Sequence, residues 1–442
     1  MTRKPASYST DSRTIGAGDV FFALVGEKHD AHDHLAEVAA KGASKMVVSD
    51  ASKVPADFLG EVVVVEDTLR AYQEEASAWL RKVDPFVVAV TGSVGKTTLK
   101  DMVACILRGA MKTHATHGNF NNQVGVPKTI LDMPPGTEAL VLEMGMEWPG
   151  EIRRLCEIAR PDACAITNIG VSHREHFDSD DGIRLAKFEI ASFLGPSGAL
   201  VIDPANDAGL LALAEQGAAQ QGYALLTVGG GGDYAVSDVR YSSGGLLSCE
   251  ICDKRFSEPG EGGECERFAL PVAGAYAAVS AAMAAALCSR AGISLAQASA
   301  ALKGLEVTAH RLQPRKGSGI LVIDDTYNAS PDSMRSGLEY LRVVPGGRKI
   351  AVLADMNELG ENSERLHFES GRLAAALGLD AVYTYGGKAA KIAEGADAQD
   401  GWFSEKGALV ARLLAGREEG DVYYIKGSRS MRMEEVVEAL LA

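Results

Sequence analysis

The chain reads as an α/β protein of three units, each organised around a mainly parallel sheet. Three observations predict this. Apolar runs of strand length alternate with helical patterns along most of the 442 residues, as expected of strands joined by crossover helices. A glycine-rich turn, Thr91-Gly92-Ser93-Val94-Gly95-Lys96-Thr97-Thr98, joins one such strand to one such helix. The length exceeds what a single core supports and predicts about three domains.

Residues 1–83 form a small α/β unit. Strands are expected at Val20–Val25, Lys45–Val48 and Val62–Val65, with helices at His34–Lys41 and Leu69–Arg81. Residues 84–312 follow, opening on the apolar run Phe86–Val90 and a helix from Leu99 to Arg108. Further strands are predicted at Ala139–Leu142, Ala163–Thr167, Ala199–Ile202 and Leu225–Val228. Gly229 to Gly232 break that rhythm, and the alternating stretch from Tyr234 to Leu270 reads as hairpins attached to the main sheet. Helices at Ala275–Ala291 and Leu295–Leu302 close the unit. Residues 313–442 repeat the doubly wound pattern. Their strands are expected at Ile320–Ile323, Ile350–Leu353, Ala381–Tyr385 and Val422–Ile425, and their helices near Ser333–Arg342, Arg365–Leu377, Lys406–Leu414 and Met433–Leu441.

Composition excludes several classes. A formal charge of −15 argues against a general nucleic-acid or membrane surface. The alanine-rich stretch Ala273–Leu287 is shorter than the ~20 residues a membrane span needs, and residues 1–10 carry no apolar signal core. Seven scattered cysteines fit a reducing cytoplasm. Cys249 and Cys252, with Cys265 beyond, read as hairpin positions rather than a metal or redox site.

The turn at 91–98 has the layout of a phosphate-binding P-loop. Gly92, Ser93 and Gly95 let backbone N–H groups turn towards phosphate oxygens, and the helix N-terminus adds partial positive charge. Lys96 reaches the outer phosphates, the Thr97 hydroxyl can ligate Mg²⁺, and Thr98 belongs with the loop's ATP-binding residues. Val90 occupies a position where the general pattern has glycine. Glu143, at the end of an apolar strand, is placed to hold Mg²⁺. His173 follows the next strand and is a second metal candidate. Lys187 lies in a helix, and periodicity does not single it out. Asn119, Asn121 and Asn122 make a loop dense in amides, suited to a sugar, phosphate or carboxamide ligand.

Taken together these residues resemble the Mur ligases, the ATP-dependent amide-bond-forming enzymes of peptidoglycan assembly. The resemblance runs through 91–98, 119–127, Glu143-Met144-Gly145, 167–175, Ala186-Lys187-Phe188-Glu189, His310-Arg311, 324–334, 355–360 and 426–429. Within the family the segment Asp325-Thr326-Tyr327-Asn328-Ala329-Ser330-Pro331-Asp332-Ser333 is most similar to the branch that adds D-alanyl-D-alanine. The resemblance implies a three-domain ligase that couples ATP cleavage to joining D-alanyl-D-alanine to UDP-N-acetylmuramoyl-tripeptide. It implies two Mg²⁺ ions held by Thr97, Glu143, His173 and a carbamylated Lys187. It assigns ATP contacts to Arg311, Asp325 and Asn328. The peptide and dipeptide ends fall to Asn119, Asn121, Asn122, Asn328, Ser330 and Pro331, and the UDP-sugar end to Ser12 and Arg13. It further implies a cytoplasmic monomer. The chain departs from the family at Gly274 to Ser280, where a His and two Asn associated with the adenine end are replaced by Tyr276, Ala277 and Ser280, and at Lys128, where an apolar residue is usual. Two other readings stay open: a Mur-type ligase with another acceptor, and a nucleotide-binding scaffold without catalysis.

Overall fold

A computed structural model describes residues 7–170, 177, 179–255, 263–274, 276–306 and 308–442. It contains three sheets of four, nine and six strands. The first comprises β1 (Tyr8–Ser9), β2 (Val20–Phe22), β3 (Lys45–Val48) and β4 (Glu61–Val64), all parallel and in chain order. β2 is shorter than predicted: Val25 pairs only as an isolated bridge to Asp30 and is exposed. Helix Thr68–Val83 carries this sheet onto the next domain. Trp79 Nε1 donates to Met133 O and Gln73 Nε2 to Gln123 O, both across the junction.

The second sheet holds β5 (Phe86–Thr91), β6 (Thr113–Ala115), β7 (Ala139–Glu143), β8 (Ala163–Ile166), β9 (Ala199–Ile202), β10 (Ala224–Gly229), β11 (Tyr234–Tyr241), β12 (Leu247–Asp253) and β13 (Glu264–Leu270). Its order is β13-β12-β11-β10-β9-β8-β5-β7-β6. The strands β6 to β10 run parallel, β10 also pairs in parallel with β11, and β11, β12 and β13 continue the sheet as an antiparallel meander. The central strands are buried on both faces, which is why they read as continuous apolar runs. Val88 and Val90 point into one core, Val87 and Ala89 into the other, as the period-two alternation of a strand requires. β6 was not anticipated: Thr113-His114-Ala115 is half-buried, short and weakly apolar.

Helix Tyr276–Ser289 lacks an amphipathic stripe because nearly every side chain from 277 to 288 is buried. It packs against helix Lys96–Arg108 within the same core, as a helix apolar on all sides must. Cys252 and Cys265 face each other across β12 and β13 and are joined by a disulfide. This corrects the expectation of reduced hairpin thiols. Directly opposed residues of an antiparallel pair bring their Cβ atoms within bonding reach, and linear spacing does not reveal that register.

The third sheet comprises β14 (Gln313–Gly317), β15 (Ile320–Asp325), β16 (Lys349–Ala354), β17 (Ala381–Tyr385), β18 (Trp402–Phe403) and β19 (Val422–Lys426), ordered β14-β15-β19-β16-β17-β18. β14 is an antiparallel edge strand, and the rest are parallel. The charged, proline-containing β14 and the two-residue β18 carry too little apolar pattern to be read from sequence. Among the described residues no helix is long and apolar enough to cross a membrane.

Candidate active site

β5 is the switch point of the central sheet, with β7 on one side and β8 on the other. Ligands of such sheets bind beyond the C-terminal ends of the strands at that point. The loop after β5 turns there into helix Lys96–Arg108, with Gly95 at its N-cap at φ +84°. Gly92 is at φ +144°, and a Cβ there would fall 1.9 Å from Thr167 Oγ1. Only glycine lets β5 and the end of β8 approach this closely.

Lys96 Nζ donates to Gly92 O at 2.6 Å and Ser93 O at 3.3 Å, which sets the ammonium across the loop mouth. Burial lowers its pKa; Glu143 opposes that shift and the nearby Arg311 charge reinforces it. Glu143 ends β7, is 4% exposed and accepts two hydrogen bonds. Thr97 Oγ1 donates to Oε2 at 2.8 Å and Asn121 Nδ2 to Oε1 at 2.9 Å. A hydroxyl and a carboxylate meeting beside a P-loop lysine form a hard-oxygen donor pair of the kind Mg²⁺ accepts. Among the described residues no three His, Cys, Asp or Glu side chains converge on a common point. His173 lies outside the described residues.

Lys187 is 2% exposed in helix Asp180–Phe188. Burial pushes its pKa down to about 7; the Lys96 charge adds to the shift and Asp332 opposes it. A lysine with this surrounding carries a substantial neutral-amine fraction at neutral pH. Periodicity could not find it, because its burial comes from other segments packed around helix Asp180–Phe188, which the pattern along that helix does not record.

The loop is held by residues that sequence reasoning passed over as site residues. Asn168 Oδ1 accepts from the N–H groups of Ser93 and Val94 at 3.1 and 3.0 Å, and Thr167 Oγ1 donates to Val94 O at 2.6 Å. Their signal was available: polar residues at the end of the strand next to the P-loop strand.

A cleft of about 780 Å³ separates the central and C-terminal sheets. Ser93 to Thr98, Asn119, Asn121 and Glu143 line one wall; Arg311, Asp325, Asn328, Ser330 and Pro331 line the other. Asn122 is not among the lining residues. Its Oδ1 accepts from Val124 and Gly125 N–H at the start of helix Gly125–Asp132. Asp325 reaches the cleft but is committed to the fold: Lys426 Nζ lies 2.5 Å from its Oδ2, Tyr424 donates to the same oxygen, and Leu312 N–H donates to Oδ1. Ser330 caps helix Pro331–Val343. Arg311 stacks on the Tyr327 ring, 4.1 Å from guanidinium carbon to centroid, and its buried Nε has no hydrogen-bond partner among the described residues. Ser12 and Arg13 lie in the N-terminal domain, bonded to Glu37 and Asp11.

Residues 90–288 match the Mur ligase middle domain and residues 310–429 the Mur ligase, glutamate ligase domain. The UDP-N-acetylmuramoyl-tripeptide--D-alanyl-D-alanine ligase of Bacillus subtilis is 36% identical over 98% of this chain and 92% of its own length. The enzyme of the same name from Escherichia coli is 34% identical over 98% and 93%. The crystal structure of MurF from Acinetobacter baumannii superposes with a TM-score of 0.88 at 31% identity, covering 98% of this chain and 93% of that one. MurF ligase from Thermotoga maritima in complex with ADP gives a TM-score of 0.85 at 29% identity, over 98% and 96%. With both family domains matched in order around a P-loop cleft, this chain belongs to the Mur ligase family.

Proposed function

We propose that this protein uses ATP to join D-alanyl-D-alanine to the terminal carboxylate of UDP-N-acetylmuramoyl-tripeptide in peptidoglycan precursor synthesis. The observation that carries the reading is the meeting of Lys96, Thr97 and Glu143 at the ends of β5 and β7, with the buried Lys187 within charge range of Lys96. Full-length relatedness to proteins named for this reaction supports the choice of substrates. In this reading residues 1–83 hold the UDP-sugar through Ser12 and Arg13, residues 84–312 bind ATP, and residues 313–442 close over it with Asn328, Ser330 and Pro331 at the dipeptide. The protein acts as a monomer in the cytoplasm.

A carboxylate cannot acylate an amine directly, because oxide is a poor leaving group. The tripeptide carboxylate attacks the γ-phosphorus of ATP, releasing ADP and forming an acyl phosphate. The dipeptide amine then attacks the carbonyl, loses a proton, and inorganic phosphate departs. Phosphoryl transfer of this type rests on positioning and charge neutralisation. Lys96 holds the β- and γ-phosphates, and the loop N–H groups orient them. Thr97 and Glu143 would hold one Mg²⁺, and Glu143, His173 and carbamylated Lys187 a second; such ions neutralise the charge of two anions brought together. Neutral Lys187 can take up CO₂, turning a repelling ammonium into an anionic oxygen donor. Arg311 faces the cleft with a donor to spare. Closure excludes water that would hydrolyse the acyl phosphate.

The test is ADP release with UDP-N-acetylmuramoyl-tripeptide and Mg²⁺, with and without D-alanyl-D-alanine, and mass detection of the product. A product heavier by the dipeptide less one water is expected. ADP release with no such product rejects the ligase reading. Lys187→Ala should lose most activity and recover part of it with added short carboxylic acids; normal turnover without them rejects the carbamate.

A further inference from the structure

Lys100 lies on helix Lys96–Arg108, one turn beyond the P-loop lysine, and is 6% exposed. The proposed reaction gives it no step. A buried ammonium is costly unless it is paired and hydrogen-bonded, so its partners carry the information. Its Nζ lies 2.5 Å from Asp101 Oδ1 and donates to Thr116 O at 3.0 Å. The other Asp101 oxygen accepts from Thr308 Oγ1 at 2.6 Å.

Thr116 is the link to the site. It follows β6 directly, is 2% exposed, and its N–H donates to Val141 O at 2.9 Å. The paired register of β6 and β7 stops at Ala115 and Val141, and a side chain makes the next bond: Glu143 N–H donates to Thr116 Oγ1 at 3.0 Å. A hydroxyl thus replaces a strand carbonyl at the residue whose carboxylate faces the loop.

Helix and strand end are therefore joined at two levels. Thr97 Oγ1 donates to Glu143 Oε2 at 2.8 Å. Three residues further along the helix, Lys100 holds the residue that holds the Glu143 N–H. One joint fixes a separation, whereas two also fix the angle between helix and strand end. Adjacent oxygens of an octahedral Mg²⁺ shell, each ~2.1 Å from the ion, lie about 3 Å apart. The separation of Thr97 Oγ1 and Glu143 Oε2 matches that spacing.

We infer that Lys100 and Thr116 are positioning residues: they hold the backbone of Glu143 against the P-loop helix, so that its carboxylate and the Thr97 hydroxyl keep the spacing a Mg²⁺ ion requires. The inference rests on the reading of Thr97 and Glu143 as metal ligands. Groups that orient metal ligands from behind are typically worth 10- to 100-fold in metal affinity.

The test is calorimetric titration of the full-length protein with ADP, with and without Mg²⁺, on Thr116→Val and Thr116→Ser. Valine keeps the shape and removes the acceptor; serine keeps the acceptor. Thr116→Val should leave metal-free ADP affinity within about 2-fold and reduce the gain in affinity that Mg²⁺ confers by about 10- to 100-fold. Thr116→Ser should restore that gain. The double variant Lys100→Met/Asp101→Asn removes both buried charges together, so neither is left unpaired, and should lower the Mg²⁺-dependent gain in the same way. An undiminished gain in folded Thr116→Val overturns the inference and leaves the metal ligands standing. Equal losses of affinity with and without Mg²⁺ also overturn it, because they make Thr116 a support of the fold alone. Absence of any Mg²⁺-dependent gain in the unaltered protein would defeat the reading of Thr97 and Glu143, and the inference with it.

Discussion

At the scale of single residues, position in the cleft and commitment of the side chain are separate properties. Asp325 lines the cleft, and sequence resemblance gives it to the nucleotide. Its two oxygens nonetheless receive Lys426, Tyr424 and the Leu312 N–H. Lys426 is 2% exposed and Asp325 11% at the side chain. Removing one member of a buried ion pair leaves the other charge without compensation, at a cost of about 3–5 kcal/mol. Asp325→Ala should therefore lower the unfolding free energy by about that amount in urea titration. A loss of nucleotide affinity at unchanged stability would return Asp325 to a ligand role. Asn122 follows the same logic: its carbonyl caps a helix, and its neighbour Asn121 holds Glu143.

At the scale of elements, loops are placed by groups behind them. Residues 357–359 border the cleft, and His367 pins the preceding turn from helix Ser363–Ala376. His367 is fully buried, Met356 N–H donates to its Nε2 at 2.9 Å, and Nδ1 donates to Ser363 O at 2.7 Å. One ring nitrogen must accept, so the ring is neutral. Burial lowers its pKa below the ordinary 6.5, against a smaller opposing effect of the Ser363 bond. The native state then binds fewer protons than the unfolded chain. The stabilisation is complete above pH ~6.5 and is lost as pH falls from there through the folded-state pKa. Melting temperature should decline across that acid window, and His367→Gln should flatten the decline; an equal slope in both proteins refutes the assignment. Such supports were not legible in the sequence. The P-loop was, because glycine, lysine and threonine act within eight consecutive residues. Glu143 was, because it ends an apolar strand. Lys187 and Asn168 depend on what other segments place against them, and periodicity along one helix or strand carries no record of that. The Cys252–Cys265 bond likewise depends on register between β12 and β13, which linear spacing does not state.

At the scale of the whole molecule, the crossing between the central and C-terminal domains holds its backbone in an unfavourable form. His310 is at φ +64° and Leu312 at φ +45°. Such angles crowd a side chain, and a leucine there is held only by its surroundings. Those surroundings are specific: His310 Nδ1 lies 2.8 Å from Asp324 Oδ2, Tyr327 N–H donates to His310 O, and Leu312 N–H donates to Asp325. Thr308 Oγ1 donates to Asp101 at 2.6 Å, tying the same crossing to the P-loop helix. Between the two constrained residues stands Arg311, aimed at the cleft. Fixing the crossing thus fixes the arginine, and the aspartates at the end of β15 do both. Leu312→Gly removes the crowding and also the restraint, since glycine enters this region freely and leaves it as freely. Relief of strain and added chain entropy are each of order 1 kcal/mol and oppose one another, so the melting temperature should scarcely move. The spread of distances between spin labels on the two domains should widen, and KM for ATP should rise more than kcat falls. An unchanged distance distribution with unchanged KM would mean that the crossing is set by the domain faces alone, and that the left-handed residues follow the domain arrangement without enforcing it.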